Sequence, residues 1–280
     1  METKETDLQC CVTVCDRPLN ADYWNTQYKA GKTGWDLGMV SPPIKAFIDT
    51  LKDKNLRILI PGCGNAYEAE YLVHQGFKKI TLIDIAPAAV KSLQEKFAQN
   101  PEVRVILGDF FTHQGKYDLI IEQTFFCALP PQLREKYVWK MFDLLTDHGL
   151  LAGLLFNRSF ESGPPFGGSA DEYKLLFKDA FSFHQFETAK NSAAPRAGSE
   201  LFIQLAKKAE HHVSLYHFTG ITCSGCRSTI IAHMKELPGV LNASISSDFS
   251  SLLIVSDKEV SIESIRSAIA YDAKYGVEMI

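Results

Sequence analysis

Between Leu56 and Phe156 the chain repeats one pattern: a short unbroken apolar run, a segment of helical period, then another apolar run. The runs RILIPG from Arg57, KITLID at 79–84, VRVIL at 103–107, YDLII at 117–121 and LLAGLLF at 150–156 carry little polar alternation. A strand with one wet face alternates. Strands that do not are covered on both faces, and covered strands separated by helices make a parallel sheet. Helices are expected over 66–75, from Pro87 to about Gln99, and after Pro130 and Pro131 as far as Gly149. The fold class is therefore α/β, doubly wound. After Asn157 comes the Gly/Pro-rich loop SGPPFGGSA, then an aromatic helix and the runs FSFHQFE and ELFIQLA, which are expected to close the sheet as an antiparallel pair.

At 280 residues the chain is long enough for a second domain. The charged, apolar-poor stretch KKAEHH at 207–212 marks the boundary. Beyond it VSLYHFTGI reads as a strand, 226–237 as a helix, LNASISS and SLLIVS as strands, 261–271 as a helix and GVEMI as a last strand. That order, β-α-β-β-α-β, resembles a ferredoxin-like module. The expected organisation is a tail over 1–19, a first domain over 20–206, a linker over 207–211 and the small module over 212–280. A short polar boundary leads us to expect two functionally independent units.

Net charge excludes some partners. The chain has 29 Lys and Arg against 33 Asp and Glu, net −4, which gives no electrostatic footprint for nucleic acid or an anionic membrane. No apolar run approaches the length of a membrane span, and the start is polar and acidic rather than basic then hydrophobic. The expectation is a cytoplasmic protein with a small-molecule substrate. Its seven cysteines, at 10, 11, 15, 63, 127, 223 and 226, are odd in number and unevenly spaced. That argues against a disulfide scaffold and for free or metal-binding thiols. Nothing around Cys10, Cys11 and Cys15 assigns them a role beyond a tail with incidental thiols or an accessory soft-metal site.

The first apolar run ends in Pro61-Gly62-Cys63-Gly64-Asn65, where glycines let the backbone turn tightly against a ligand. A dinucleotide fingerprint would place a third glycine at position 67, and this chain has Tyr67. Asp84 closes the second run, 22 residues after Gly62, placed to accept hydrogen bonds from a ribose diol. After the third run, Gly108-Asp109-Phe110-Phe111 offers an acceptor for an exocyclic amine and an aromatic face for a purine. Together these describe a nucleoside site without a pyrophosphate cradle, as S-adenosyl-L-methionine requires.

With Trp24-Asn-Thr-Gln-Tyr28-Lys-Ala-Gly-Lys-Thr-Gly-Trp35-Asp, PGCGN, LIDIA, GDFF and FFCALPP, residues 20–206 resemble the thiopurine S-methyltransferase family. Within it, the likeness is strongest to the halide and thiol methyltransferase branch of plants and bacteria. The resemblance implies a Rossmann-like class I methyltransferase sheet. It also implies that Trp24, Tyr28 and Trp35 lie over the methyl donor, that Gly62, Gly64 and Asp84 hold its amino acid and ribose ends, and that Asp109 and Phe110 hold adenine. Gln123, where plant relatives have an aromatic residue, is counted with the cofactor contacts. Arg196-Ala-Gly198-Ser-Glu200-Leu201 matches a late family pattern, putting Arg196 near the substrate mouth by analogy. The physical reading agrees: a sulfonium cation is attracted to aromatic faces by about 0.5 to 2 kcal/mol, so the two tryptophans flanking Ala-Gly-Lys-Thr-Gly make a lid, or else they cover the sheet edge. Phe125, Phe126 and Cys127 follow the fourth run at the ligand-binding edge, where they line the acceptor pocket or pack the core. No catalytic triad, carboxylate pair or metal cluster is visible here, and methyl transfer to a soft, already ionised nucleophile requires none. His113 and His184 read as surface or packing residues.

In the small module, Gly220-Ile221-Thr222-Cys223-Ser224-Gly225-Cys226 sets two thiols at the opening of its first helix, a position that favours thiolates and soft metals. Motif and element order resemble the heavy-metal-associated domain of copper chaperones and metal-transporting ATPases. This implies a soft ion such as Cu(I) or Zn(II) at Cys223 and Cys226, and a metal-transporting ATPase or chaperone as partner. Ile221 stands where that family usually has methionine. A redox dithiol is the competing reading, against which the module lacks a thioredoxin-type βαβ unit and a proline between the cysteines. The leading expectation for the whole chain is methyl transfer to a thiol, bisulfide or halide. The alternatives are methylation of selenium, tellurium or arsenic, and a metal-binding or sensory protein whose first domain only binds cofactor.

Overall fold

Each apolar run becomes a strand covered on both faces, except the run at 103–107, which forms the sheet edge and leaves Arg104 and Leu107 exposed. The computed structural model describes residues 19–208, 211–246 and 249–279; Cys10, Cys11 and Cys15 lie outside them. Two helices, α1 (Ala21–Lys29) and α2 (Pro42–Thr50), precede the repeat β1 (Arg57–Pro61), α3 (Tyr67–His74), β2 (Lys79–Asp84), α4 (Pro87–Lys96), β3 (Val103–Leu107), β4 (Tyr117–Gln123), α5 (Arg134–Leu144) and β5 (Leu145–Phe156). Then come α6 (Ala170–Phe177), β6 (Phe181–Thr188) and β7 (Glu200–Lys207). The seven strands run in the order β3-β2-β1-β4-β5-β7-β6. β3, β2, β1, β4 and β5 pair in parallel, and β7 is antiparallel to both β5 and β6. On one face Ile58, Ile60, Leu119 and Ile121 meet Ile44 and Ile48 of α2, Leu72 of α3 and Leu93 of α4. On the other face Leu59, Ile120 and Leu151 meet Tyr137, Met141 and Phe177. This is the doubly wound Rossmann-like sheet, with strand order reversing between β1 and β4.

The second unit contains β8 (His212–Thr219), α7 (Ser224–Lys235), β9 (Val240–Ile245), β10 (Ser251–Ser256), α8 (Ile262–Ile269) and β11 (Gly276–Met279). Its antiparallel sheet has the order β11-β8-β10-β9, the ferredoxin-like arrangement. Tyr216, Phe218, Leu252 and Ile254 face Ile230, Met234 and Ile265 in the module's own core.

The other face of this sheet is also covered. Leu253 and Val255, 2% and 0% exposed, join Trp139 and Phe142 of the large domain in one continuous core, with Val213 and Leu215 packed against it. At about 1.5 to 3 kcal/mol per fully buried aliphatic side chain, two such residues outweigh the polar boundary. Asn242 also donates to Glu135 over 2.8 Å, and Lys136 to the Ser251 hydroxyl over 3.1 Å. The expectation of independent units therefore meets a docked module with a shared core. No helix among the described residues is long and apolar enough to cross a membrane.

Candidate active site and thiol pair

At the carboxyl ends of β1, β2, β3 and β4 lies a cavity of about 640 Å³, where Gly62, Asp84, Asp109 and Phe125 converge. Ligands bind at this edge of an open α/β sheet, where the strand order reverses. Gly62 has φ +54°, and a Cβ there would sit 2.2 Å from the Phe125 ring, so the turn needs glycine twice over. Gly64 has φ +51° and donates its N–H to Asp84 Oδ2 over 3.0 Å. Asp84 Oδ1 accepts from the Ala86 N–H over 2.9 Å. Desolvation raises the Asp84 carboxyl above its usual range, while these backbone donors oppose the rise. Each oxygen keeps a lone pair for a ligand hydroxyl. Asp109 Oδ1 caps the short 3-10 turn at Phe110–Thr112, accepting from the Phe111 N–H over 2.8 Å. Asp109 also lines the cavity.

The aromatic lid reading has a geometry. Trp35 stands edge to face against Trp24, with centroids 5.6 Å apart, and against Tyr28 at 5.8 Å; all three rings line the cavity. The Tyr28 hydroxyl is pushed far up, first by burial and then by the Asp84 charge, and stays neutral. Phe125 and Cys127 line the cavity with Leu129, Pro130, Pro164 and Pro165. Burial pushes the Cys127 thiol far up as well, and its Sγ donates to the Thr124 carbonyl over 3.3 Å.

Three sequence candidates sit elsewhere. Phe126, 1% exposed, packs among Tyr137, Tyr173 and Phe177 beneath the cavity, because the turn after β4 points alternate rings to opposite sides. Arg196 is buried behind the lid rather than at the mouth: it donates to the Trp35 carbonyl over 2.5 Å and pairs with Glu200 at 3.3 Å. Gln123 faces a narrow crevice shared with Trp35, Gly62, Gly64 and Thr124. Its Oε1 is buried with no hydrogen-bond partner.

Glu122 was not singled out from the sequence. Fully buried, it accepts from the Phe125 and Phe126 N–H groups over 2.8 and 2.9 Å and from the Tyr137 hydroxyl over 2.5 Å. Desolvation outweighs these donors and pushes the carboxyl up to about 7. It shapes the turn that carries Phe125. His113 hydrogen-bonds Tyr117 at 2.7 Å, and His184 is exposed on β6; neither lines the cavity.

In the small module Cys223 is the N-cap of α7, its sulfur accepting from the Cys226 N–H at 3.3 Å, and the two sulfurs are 3.1 Å apart. The Cys226 thiol is pushed down to about 7, first by its bond with Cys223 and then by the Tyr275 hydroxyl. No cluster of three or more His, Cys, Asp or Glu side chains that could hold a metal occurs among the described residues. The pair is thus a two-thiol site.

The model of the thiopurine S-methyltransferase (TPMT) family matches residues 19–211. The chain belongs to the thiopurine S-methyltransferase family. Residues 216–275 match the heavy-metal-associated domain. The TPMT-family part is 33% identical to the probable thiol methyltransferase 2 of Arabidopsis thaliana over 199 residues, covering 69% of this chain and 88% of that protein. It is 27% identical to thiocyanate methyltransferase 1 of Brassica oleracea, covering 63% of this chain and 81% of that protein. Among solved structures, the 1,6-didemethyltoxoflavin-N1-methyltransferase of Burkholderia thailandensis, holding S-adenosylhomocysteine, superposes with TM-score 0.54 at 17% identity, over 67% of this chain and 86% of that one. A chain from work on conversion of a disulfide bond into a thioacetal group superposes with TM-score 0.56 at 14% identity, over 68% and 93%. These two likenesses show the fold. As a TPMT-family member, the protein is an S-adenosylmethionine-dependent methyltransferase.

Proposed function

We propose that the enzyme methylates a small, soft, already ionised nucleophile: a thiolate, bisulfide or halide. The observation that carries this reading is the chemistry of the cavity's acceptor end. Phe125, Leu129, Pro130, Pro164 and Pro165 supply apolar surface, and among the described residues no histidine lines the wall. The nearby Cys127 and Tyr28 hold their protons tightly. Among the described residues, no side chain lining that end is poised to take a proton near neutral pH, since Glu122 is sealed behind the wall with its oxygens held by Phe125, Phe126 and Tyr137, so an acceptor must arrive without one. Relatives named for thiol and thiocyanate methylation support the same class.

The donor fits the residues present. A glycine turn that a Cβ would fill, the Asp84 carboxylate and the orphaned Gln123 Oε1 suit an amino acid end and a ribose, and Asp109 with Phe110 and Phe111 suits a purine. Bound S-adenosylmethionine supplies an electrophilic methyl on a sulfonium. Trp24, Tyr28 and Trp35 stabilise that cation by about 0.5 to 2 kcal/mol. Alignment of the reactants contributes more, up to about 7 to 11 kcal/mol. The apolar end strips water from the acceptor, whose lone pair forms the new bond to carbon as the old carbon–sulfur bond breaks. The old bond's electron pair stays on sulfur, leaving a neutral thioether, and no proton moves.

For the small module we propose a soft ion, Cu(I) or Zn(II), held by Cys223 and Cys226, as thiolates prefer. Incubation of the pure protein with labelled donor and a panel of thiols, halides, selenium species, arsenite and phenols tests the activity. Turnover of thiols or iodide without phenols is expected. Exclusive turnover of arsenite or selenium species favours metalloid methylation, with the module supplying the acceptor. Turnover of none, with donor bound, favours a sensory protein.

A further inference from the structure

The docked module reaches the cavity itself. Ser246, which follows the module's β9, lines it beside Lys136 of α5. The Ser246 hydroxyl accepts the Ser251 N–H over 3.0 Å. The Ser251 hydroxyl accepts from the Lys136 ammonium over 3.1 Å, and that ammonium lies 5.1 Å over the Phe111 ring. Phe111 in turn stands edge to face against Phe110 at 5.3 Å. A chain of contacts thus runs from the metal-binding unit through Ser251, Lys136 and Phe111 to the wall that Asp109 lines.

We propose that the heavy-metal-associated module completes the purine end of the methyl-donor site, with Ser246 as a wall residue and Ser251 and Lys136 as positioning residues for Phe111. This rests on the reading of the cavity as the donor site. It follows that a donor-binding enzyme is built by both halves of the chain, and that the module has a role beyond holding an ion. The Gln123 crevice is lined by the large domain alone.

Calorimetric titration of the full chain with S-adenosylhomocysteine and with 5′-methylthioadenosine, which keeps the purine and lacks the amino acid, separates the two ends. Ser246→Trp is expected to weaken both ligands about tenfold or more. Lys136→Met and Ser251→Ala are expected to weaken both about threefold. Gln123→Leu is expected to weaken S-adenosylhomocysteine alone, and Leu241→Ser, on an exposed part of β9, neither. If Ser246→Trp does not fold, as judged by its thermal melt, Lys136→Met and Ser251→Ala carry the test. Native protein that binds neither ligand brings down the donor-site reading and this inference with it. Native protein that binds both, with module variants that match it or lose only S-adenosylhomocysteine, overturns this inference alone.

Discussion

Cys127 and Cys226 are the same side chain in two regions of one molecule, and their surroundings drive them in opposite directions. Cys127, buried at the acceptor end of the cavity, is pushed far up by desolvation and behaves as a small apolar group. Cys226, on the module's surface, is pushed down to about 7 by Cys223 and Tyr275. Each region thus has its own electrostatics: a cavity wall whose thiol keeps its proton, and a thiol pair of which one member gives its proton up readily. Burial raises the Glu122 carboxyl to about 7 as well, but that group is fully buried behind the wall and does not line the cavity.

The largest effect that could break this comparison is on metal binding. Cys223→Ser with Cys226→Ser should abolish stoichiometric Cu(I) binding, while Cys127→Ser leaves it intact, as read by competition with a chromophoric chelator. Retention of Cu(I) by the double variant would place the metal elsewhere.

Glu122 comes next. Its folded-state value lies above its ordinary 4.5, so between about pH 4.5 and 7 the folded chain holds a proton that the unfolded chain has lost. Stability from this group is complete at the acid end, falls as pH rises through that window and is level above it, a change of order 3 kcal/mol. Denaturant unfolding at about pH 5 and about pH 8 should show the loss in the native protein and little of it in Glu122→Gln.

Asp84→Ala should weaken S-adenosylmethionine at least tenfold, about 1.4 kcal/mol, because the carboxylate both lines the cavity and holds the Gly64 and Ala86 N–H groups. Unchanged affinity in a folded variant would remove the ribose assignment. The smallest effect is on methyl transfer by the double cysteine variant, which should stay within about threefold, roughly 0.65 kcal/mol in barrier, because the thiols do not line the cavity.

Both sheets were legible in the sequence, since strands covered on two faces lose their alternation and the ferredoxin-like order is written in short, well-separated periods. The docking of the module was legible in part. Leu252 and Ile254 alternate with Leu253 and Val255, so β10 is apolar on both faces, a sign that something covers the second one. The polar boundary drew attention away from it. As lining residues of the cavity, Gly62, Asp84 and Asp109 could be read from the sequence because each lies within two residues of a strand's carboxyl end. The opposite fates of Phe125 and Phe126 could not, since they depend on the backbone of a single turn after β4. Nor could Arg196, whose partner Trp35 is 161 residues away, or Glu122, which looks like an ordinary polar end to an apolar strand until its three donors are in place.

The central claim, that the cavity takes acceptors already ionised and offers no base of its own, is tested most directly by the pH dependence of methyl transfer for two acceptors on one enzyme. With a thiol, the rate at subsaturating acceptor should rise along that thiol's own thiolate fraction; with iodide, which has no proton to lose, it should stay level across the same range. A bell common to both acceptors, with midpoints belonging to the enzyme, would contradict the account and reveal a general base in the cavity.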